Sequence, residues 1–295
     1  MTDLAVIAVK PRNDYGLKMM NDSKDESFGN LLRAWRKKRR FSQLELALDA
    51  DISSKHLSFL EGGRAQPSRE MVLRLSGPLK LSMRNQNSLL TAAGFAVQHP
   101  QRQLDDPQLE HAVRAVQLVL SGLEPYPCIA LDKHWNIKSS NRAVRHLLVD
   151  VPQEMLQTPI NVLRLSLHPL GLRKQIVNLE EWSSHLIHLL QEKIDSDDDP
   201  YLKELRNELL SFNGIDPKPK RRKQVEVLLG ERNTAFIPLQ LRVRGCLLTL
   251  VSTTMVFGTP TDITMSELLI ESLLPANEET AEWFRRLDDR GADRP

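Results

Sequence analysis

The chain has 295 residues, of which 41% are apolar and 26% are charged, and its formal net charge is +2. This length accommodates two globular domains, and the composition excludes a fibrous or wholly disordered protein. No apolar run approaches 18 residues, and the short apolar stretch 4–9 follows an acidic residue, so we expect neither a membrane span nor an exported protein. Two cysteines, Cys128 and Cys246, lie in apolar runs and predict buried thiols in a cytoplasmic protein.

Positive charge is concentrated in one N-terminal segment. Residues 30–84 contain twelve Lys and Arg against five Asp and Glu, which gives +7 and leaves −5 for the rest of the chain. This asymmetry is expected of a protein with one surface that binds a polyanion. The run 36–40 is entirely basic, and it fits either a solvated helix end or a DNA contact.

Five short helices are predicted between residues 26 and 96. The first carries an apolar stripe at helical spacing, formed by Phe28, Leu31, Leu32 and Trp35. Ser42 and Glu45 have the spacing of a capping box that opens the second helix, and Ser53 caps a short third helix with Leu57 and Leu60 inward. Pro67 and Ser82 mark the starts of the fourth and fifth helices. A small all-α domain follows from this pattern.

The rest of the chain predicts a larger α+β domain over residues 108–285, after a polar linker at 97–107. Strands are expected at 128–131, 135–137, 236–243 and 247–257, and helices at 108–122, from Asn141, at 179–190 and at 201–212. The segment 267–274 fits a helix or a strand. Strands that flank several helices favour an antiparallel sheet covered by helices.

Three further segments are not expected to form part of either domain. Residues 1–25 predict a disordered leader, within which Met19 or Met20 is an alternative start, and 286–295 predict a tail. The basic run 218–223 predicts a solvated loop.

The second and third helices resemble the XRE/Cro-type helix-turn-helix family of bacterial and phage regulators. The matching text is Ser42-Gln43, Leu46-Ala47, Ile52-Ser53, Leu57-Ser58, Leu60-Glu61-Gly62 and Arg64 through Pro67-Ser68. The resemblance implies binding to double-stranded DNA, with the third helix in the major groove. Asp51 stands where the family usually has a glycine, and Asp tolerates left-handed backbone geometry better than most residues.

The third helix supplies the candidate DNA contacts. A helical wheel puts Ser54, Lys55, Ser58 and Phe59 on one outer arc, beside Ser53 at the helix start, where side chains can reach base edges. The resemblance places Gln43 and Arg64 at backbone-contacting positions. Lys55 and Phe59 taken singly are typical of ordinary surface residues, and only the joint pattern favours DNA.

The C-terminal domain resembles the ligand-binding domain of MmyB-like regulators, which has a PAS-like fold. The resemblance rests on residues 127–132, Trp135, Asn141-Arg142, residues 161–164, His168-Pro169, residues 171–173, residues 258–260, residues 262–264 and Glu271-Ser272. It implies a small-molecule sensor, with a fatty acid or a similar apolar compound as ligand. The combined architecture predicts a homodimeric transcriptional regulator, because two-fold dimers are the commonest oligomers and a single small module rarely binds DNA tightly enough.

The apolar surface of this domain exceeds what covering a sheet requires, which predicts a ligand pocket, although a fully packed core stays open as the alternative. Trp135, Asn141, Arg142 and Arg173 are the candidate ligand contacts, with the last three able to serve a carboxylate. Asn141 and Arg142 could instead cap their helix.

Two other functions stay open at this stage. A haem or flavin sensor would use His134 or His146 as an axial ligand. An enzyme domain is disfavoured because the sequence offers no nucleophile, base and orienting group, and we expect no catalysis. His185 and His188 are more typical of surface histidines than of a metal site.

Overall fold

A computed structural model describes residues 27–197, 199–212, 214–215 and 236–292, with side chains described as far as residue 287. The predicted leader with its alternative start, and the basic run 218–223, lie outside these residues. The described chain divides into two compact units. The N-terminal unit comprises residues 27–107 and 258–266, and the C-terminal unit comprises the rest.

The N-terminal unit contains the five predicted helices. They are α1 (Phe28–Lys38), α2 (Gln43–Asp49), α3 (Ser54–Glu61), α4 (Arg69–Ser76) and α5 (Met83–Ala92). A serine side chain caps the start of each helix by accepting a backbone N–H three residues later, and Ser42 with Glu45 forms the complete capping box. The side chains of Leu32, Leu46, Leu57 and Leu60 are fully buried in the shared core. The all-α prediction is confirmed.

The predicted linker is held by hydrogen bonds to a second segment of the N-terminal unit. The Ile263 backbone N–H donates to the Pro100 carbonyl, and the Thr264 hydroxyl donates to the Arg102 carbonyl. The Arg102 guanidinium also pairs with the buried Asp262 carboxylate at 3.0 Å. Segment 258–266, which includes the short helix α10 (Ile263–Ser266), therefore packs with the N-terminal unit, where the sequence predicted part of the C-terminal domain.

The C-terminal unit is built on an antiparallel sheet. Its described strands are β1 (Cys128–Leu131), β2 (Ile137–Ser140), β3 (Leu239–Val243), β4 (Cys246–Val256) and β5 (Leu269–Pro275), in the order β2-β1-β5-β4-β3. The helices of this unit are α6 (Glu110–Gly122), α7 (Val162–Leu167), α8 (Leu179–Asp197), α9 (Pro200–Ser211) and α11 (Glu278–Ala292). The predicted α+β class is confirmed, and the ambiguous segment 267–274 is the central strand β5.

Several local features differ from the sequence prediction. The second strand starts at Ile137 because Trp135 lies in the hairpin turn with a left-handed φ of +62°. A 3-10 helix, Arg142–Leu147, replaces the α-helix expected after Asn141. The last helix continues to Ala292, seven residues past the predicted domain end at 285. Cys128 is buried as expected, whereas Cys246 is exposed because it stands next to the turn at Gly245.

None of the described helices combines the length and the apolar character needed to cross a bilayer.

Candidate DNA-binding surface and ligand cavity

The connection between α2 and α3 has the tight geometry of a helix-turn-helix. Asp51 adopts φ +52°, in the left-handed region where the family usually has glycine. This residue lets the Ile52 N–H bond back to the Ala47 carbonyl and places Ser53 as the cap of α3. The Ser53 side-chain oxygen accepts the His56 N–H at 3.1 Å, so this oxygen is engaged within the helix start.

The outward residues of α3 and the residue after its end form one surface, which we call the α3 surface: Ser54, Lys55, Ser58, Phe59 and Arg64. Ser54, Lys55 and Arg64 are exposed, and Ser58 and Phe59 are half-buried. Two cations lie close to the Phe59 ring, with Lys55 Nζ at 5.8 Å and the Arg64 guanidinium carbon at 4.4 Å from the ring centroid. The ring therefore orients both cations on the outer side of α3.

Behind the α3 surface lies a buried ionic network that the sequence did not reveal. The Arg36 guanidinium donates to both carboxylate oxygens of Glu61, at 2.5 and 2.9 Å. The Gln43 amide donates to the same carboxylate at 2.9 Å, and Arg33 lies 3.4 Å from it. Burial alone would raise the pKa of Glu61, but the hydrogen bonds from Arg36 and Gln43 and the nearby positive charges lower it. The network joins α1, α2 and α3.

The network engages two side chains that the sequence made candidates for DNA contact, Arg36 and Gln43. Arg36 is buried and bonded within the protein, so this member of the basic run is neither solvated nor free to contact DNA. Gln43 keeps its predicted place at the start of α2, but one of its amide hydrogens is engaged by Glu61. Arg39 donates to the Leu79 carbonyl, whereas Lys37 and Arg40 are exposed.

The C-terminal unit contains a cavity of about 500 Å³. The strands of the sheet form one wall, and residues of α7 and α8 form another. Most lining side chains are apolar, among them Ile129, Trp135, Leu163, Leu186, Leu241 and Leu273. This size and lining fall in the range of small-molecule sites in proteins, and the packed-core alternative is not what the structure shows.

The polar lining is confined to a few side chains. Ser252, Thr254 and Glu271 lie on β4 and β5, Ser166 lies on α7, and the others lie on α8: Ser184, His185, His188 and Glu192. The Ser252 hydroxyl donates to the Glu271 carboxylate at 2.5 Å. Burial raises the pKa of Glu271, and the Ser252 hydrogen bond only partly opposes that change. None of the described lining residues is a lysine or an arginine.

Trp135 is the predicted ligand residue that lines the cavity. Its left-handed backbone is held on both sides, because its N–H donates to the Asp132 carbonyl and its carbonyl accepts the Val162 N–H. The Asp132 carboxylate also accepts the backbone N–H groups of His134 and Asn136. A bulky residue in this conformation is uncommon, and such strain is typically found at functional sites.

The other three predicted ligand residues lie outside the cavity lining. Asn141 accepts the Cys128 N–H and donates to two backbone carbonyls, so it joins β1 to the end of α6, and it makes no side-chain cap. The Arg142 guanidinium lies 3.6 Å from the Glu124 carboxylate. Arg173 is not a lining residue, although its neighbour Leu172 is.

The two histidines of the haem or flavin alternative also lie outside this cavity. His134 Nε2 is 2.9 Å from the Asp199 carboxylate, which Lys133 contacts at 2.7 Å. These two partners outweigh burial and hold the pKa of Asp199 far below its usual range. His146 packs edge-to-face on the Trp283 ring. Among the described residues, no group of three or more His, Cys, Asp or Glu side chains is placed to hold a metal ion.

A basic helical unit with an outward-facing third helix, and an α+β unit with a ligand-sized cavity, define a ligand-regulated DNA-binding protein. Comparison with known families agrees with this class. A family model for helix-turn-helix domains matches residues 32–84. The model described as the MmyB-like transcription regulator ligand binding domain matches residues 112–287, more than half of the chain, and the chain belongs to this family. No curated protein matches the chain.

Proposed function

We propose that the α3 surface reads base pairs of duplex DNA and that occupancy of the cavity by a mainly apolar small molecule controls this activity. The observation that carries the proposal is the pairing of an exposed, doubly cationic α3 surface with an apolar cavity of about 500 Å³ in the same chain. The excess positive charge of residues 30–84 supports attraction to phosphates.

The DNA-binding half is tested by substituting the two cations that flank Phe59. Lys55→Ala should weaken binding to the cognate site by about 1–3 kcal/mol and leave binding to random duplex nearly unchanged, because base contacts specify sequence. Arg64→Ala should weaken both and reduce the slope of log K against log salt by about one unit. Arg114→Ala is the matched control, since it removes an exposed arginine from the C-terminal unit. If Lys55→Ala lowers the affinity for the cognate and the random duplex equally, α3 is not the recognition helix.

We further propose that the protein binds DNA as a homodimer. Two copies of a small helix-turn-helix module gain affinity by contacting two half-sites, which predicts a pseudo-palindromic operator with half-sites about 34 Å apart or a multiple of that spacing. Footprinting combined with sedimentation checks both statements. A monomer bound to one isolated half-site contradicts this part of the proposal.

The ligand half is tested on the protein as purified. Native mass spectrometry of the full chain, followed by mass spectrometry of what denaturation releases, reports the stoichiometry and the mass of the ligand together. A compound that binds the folded state raises its stability by about 2.7 kcal/mol at one hundred times its dissociation constant. Absence of a released compound, together with no thermal shift from any apolar compound of suitable size, contradicts the proposed ligand.

A fatty acid, which the family resemblance implies, fits the apolar lining by its alkyl chain. Its carboxylate finds no lysine or arginine among the described lining residues, and it meets the Glu271 carboxyl there. The lining therefore fits the alkyl chain of a fatty acid better than its carboxylate head group.

We also propose that the chain acts in the cytoplasm, where a bacterial regulator meets DNA, and that it is not an enzyme. The sequence supports the second statement, because no nucleophile, base and orienting group can be assembled from it. Purified protein that hydrolyses generic ester substrates, and loses this activity when Ser166 in the cavity lining is replaced by alanine, contradicts that statement.

A further inference from the structure

Three oxygen-bearing side chains lie together in the wall of the cavity: Ser252, Thr254 and Glu271, which we call the acceptor patch. In the β4–β5 ladder, Thr254 stands directly opposite Glu271, and Ser252 is two residues from Thr254 on the same face of β4. Glu271 bonds to Ser252 at 2.5 Å. The patch is thus a built feature of two neighbouring strands.

Glu271 has no cationic partner among the described residues. Ser252 is the group that bonds its carboxyl, and no arginine or lysine of the described lining reaches it. Glu271 is half-buried. A carboxyl shielded from water normally has a positive partner, because desolvation disfavours its charged form. Glu271 lines the cavity, so a cation bound in the cavity could take the place of this partner.

We propose that the acceptor patch binds the ammonium group of an otherwise apolar ligand, so that the ligand supplies the cation that the protein lacks. This inference rests on the proposed function of the cavity as the ligand site. An ammonium has three N–H donors and no acceptor, and the acceptor patch offers one carboxylate and two hydroxyl oxygens. The alkyl part of the ligand packs against the apolar remainder of the lining, including Trp135 and Leu186.

A carboxylate head group suits this wall less well. It would place a second negative charge beside Glu271, or it would require Glu271 to stay protonated and share its proton. The other titratable lining residues, His185, His188 and Glu192, lie on α8 and not on the two strands that carry the acceptor patch. His188 is half-exposed and lies 3.4 Å from Glu192 on the same helix, so an acidic partner already accompanies it.

The experiment compares three compounds that share one chain and differ only in the head group: decylamine, decanol and decanoate. Each is titrated into the full chain at pH 7 below its micellar concentration. Fluorescence of Trp135 and Trp182, which both line the cavity, reports binding. We expect decylamine to bind about tenfold more tightly than decanoate, because its hydrogen bonds to Glu271 are charge-assisted, and decanol to lie between them.

Glu271→Gln tests the residue itself. Glutamine keeps the shape of the side chain and an oxygen that can accept from Ser252, but it cannot carry a negative charge. The preference for decylamine over decanoate should fall about tenfold in this variant, with decanol binding unchanged. Glu192→Gln is the matched control, since it removes a carboxyl from the α8 side of the lining and should keep the preference.

The possible results separate this inference from the proposed function. Decanoate that binds as tightly as decylamine to the unmodified protein overturns the amine assignment and leaves an apolar ligand site standing. A preference that survives in Glu271→Gln but disappears in Glu192→Gln also overturns it. If none of the three compounds binds, the proposed ligand site fails as well. The ranking on the unmodified chain decides the question even if Glu271→Gln does not fold.

Discussion

Each unit contains one glutamate that is shielded from water, with Glu61 buried and Glu271 half-buried, and the two glutamates have opposite surroundings. Glu61 in the N-terminal unit accepts hydrogen bonds from Arg36 and Gln43 and lies 3.4 Å from Arg33, and its pKa is lowered. Glu271 in the C-terminal unit is bonded by Ser252, faces a cavity, and has a raised pKa. The first carboxyl is satisfied by the protein, whereas the second is satisfied only in part.

The comparison indicates that Glu61 stabilises the fold, whereas Glu271 is available to bind a ligand. A fully paired carboxylate fixes three helices and leaves no capacity for another molecule. A partly paired carboxyl in a cavity lowers the stability of the empty protein and gives a ligand something to neutralise. The N-terminal unit is therefore expected to depend on its ion pair for stability, and the C-terminal unit to depend on its carboxyl for recognition.

The largest effect is expected from Glu61→Gln, which leaves the buried Arg36 without its carboxylate. Breaking a buried ion pair by removing one partner costs about 3–5 kcal/mol, and we expect a loss of about 3 kcal/mol in the free energy of unfolding. Chemical denaturation of the full chain, followed by circular dichroism, measures it. Glu70→Gln is the control, because its partner Arg74 is also an arginine but the pair is exposed, and the cost should be about 0.5 kcal/mol. Similar losses in the two variants would show that the network contributes no more than a surface pair.

The helices of this unit could be predicted from the sequence, whereas the ionic network could not. Capping serines and apolar spacing are local signals, and they correctly predicted the starts of α2, α3 and α5 at Ser42, Ser53 and Ser82. The partner of Arg36 lies 25 residues away, and nothing within the basic run distinguishes Arg36 from the exposed Lys37. The distinction arises only when α1 packs on α3.

The next effect concerns the pH dependence of stability, where the two glutamates predict opposite slopes. The stability from Glu61, whose pKa is lowered, is present above the ordinary value of 4.5 and is lost as the pH falls through its own pKa. The stability from Glu271, whose pKa is raised, is present below 4.5 and is lost as the pH rises through its own pKa. Glu271→Gln should therefore stabilise the ligand-free protein at pH 8 and not at pH 4.

Thermal unfolding of the ligand-free protein at several pH values measures this effect. Other titratable residues, His185, His188 and Glu192, also line the cavity. Glu192→Gln is measured in parallel, because it shows the effect of removing a different lining carboxyl. If Glu271→Gln raises the stability equally at pH 4 and pH 8, ionisation of Glu271 does not destabilise the folded protein, and this prediction is wrong.

The cavity illustrates where prediction from sequence ended. The apolar excess of the C-terminal domain indicated a pocket, and Trp135, a predicted ligand contact, lies in the lining of the cavity. Asn141 and Arg142 were chosen as polar groups near a hairpin, but their bonds are to the Cys128 backbone and to Glu124. Glu271 belongs to the text that matches the MmyB-like domain, but it was not predicted as a ligand contact. The segment 267–274 lacks clear alternation, and its inward face is defined only by pairing with β4.

The smallest effect is expected at Asp51, where the helix-turn-helix departs from its family. The residue has φ +52°, which costs a β-branched side chain about 1–2 kcal/mol and glycine nothing. Asp51→Gly should therefore leave the free energy of unfolding within about 1 kcal/mol of the parent, because relief of strain is offset by the freedom that glycine adds to the unfolded chain. Asp51→Val should destabilise the protein by about 1–2 kcal/mol.

Asp49 is the matched control, since it is an exposed aspartate in the last turn of α2 with a helical backbone. Glycine is the poorer substitute there, because it is less favourable in a helix than valine by a few tenths of a kcal/mol. The order of glycine and valine should thus reverse between positions 51 and 49 when both pairs are measured by chemical denaturation. The same order at both positions would mean that the turn between α2 and α3 does not hold Asp51 in the left-handed region.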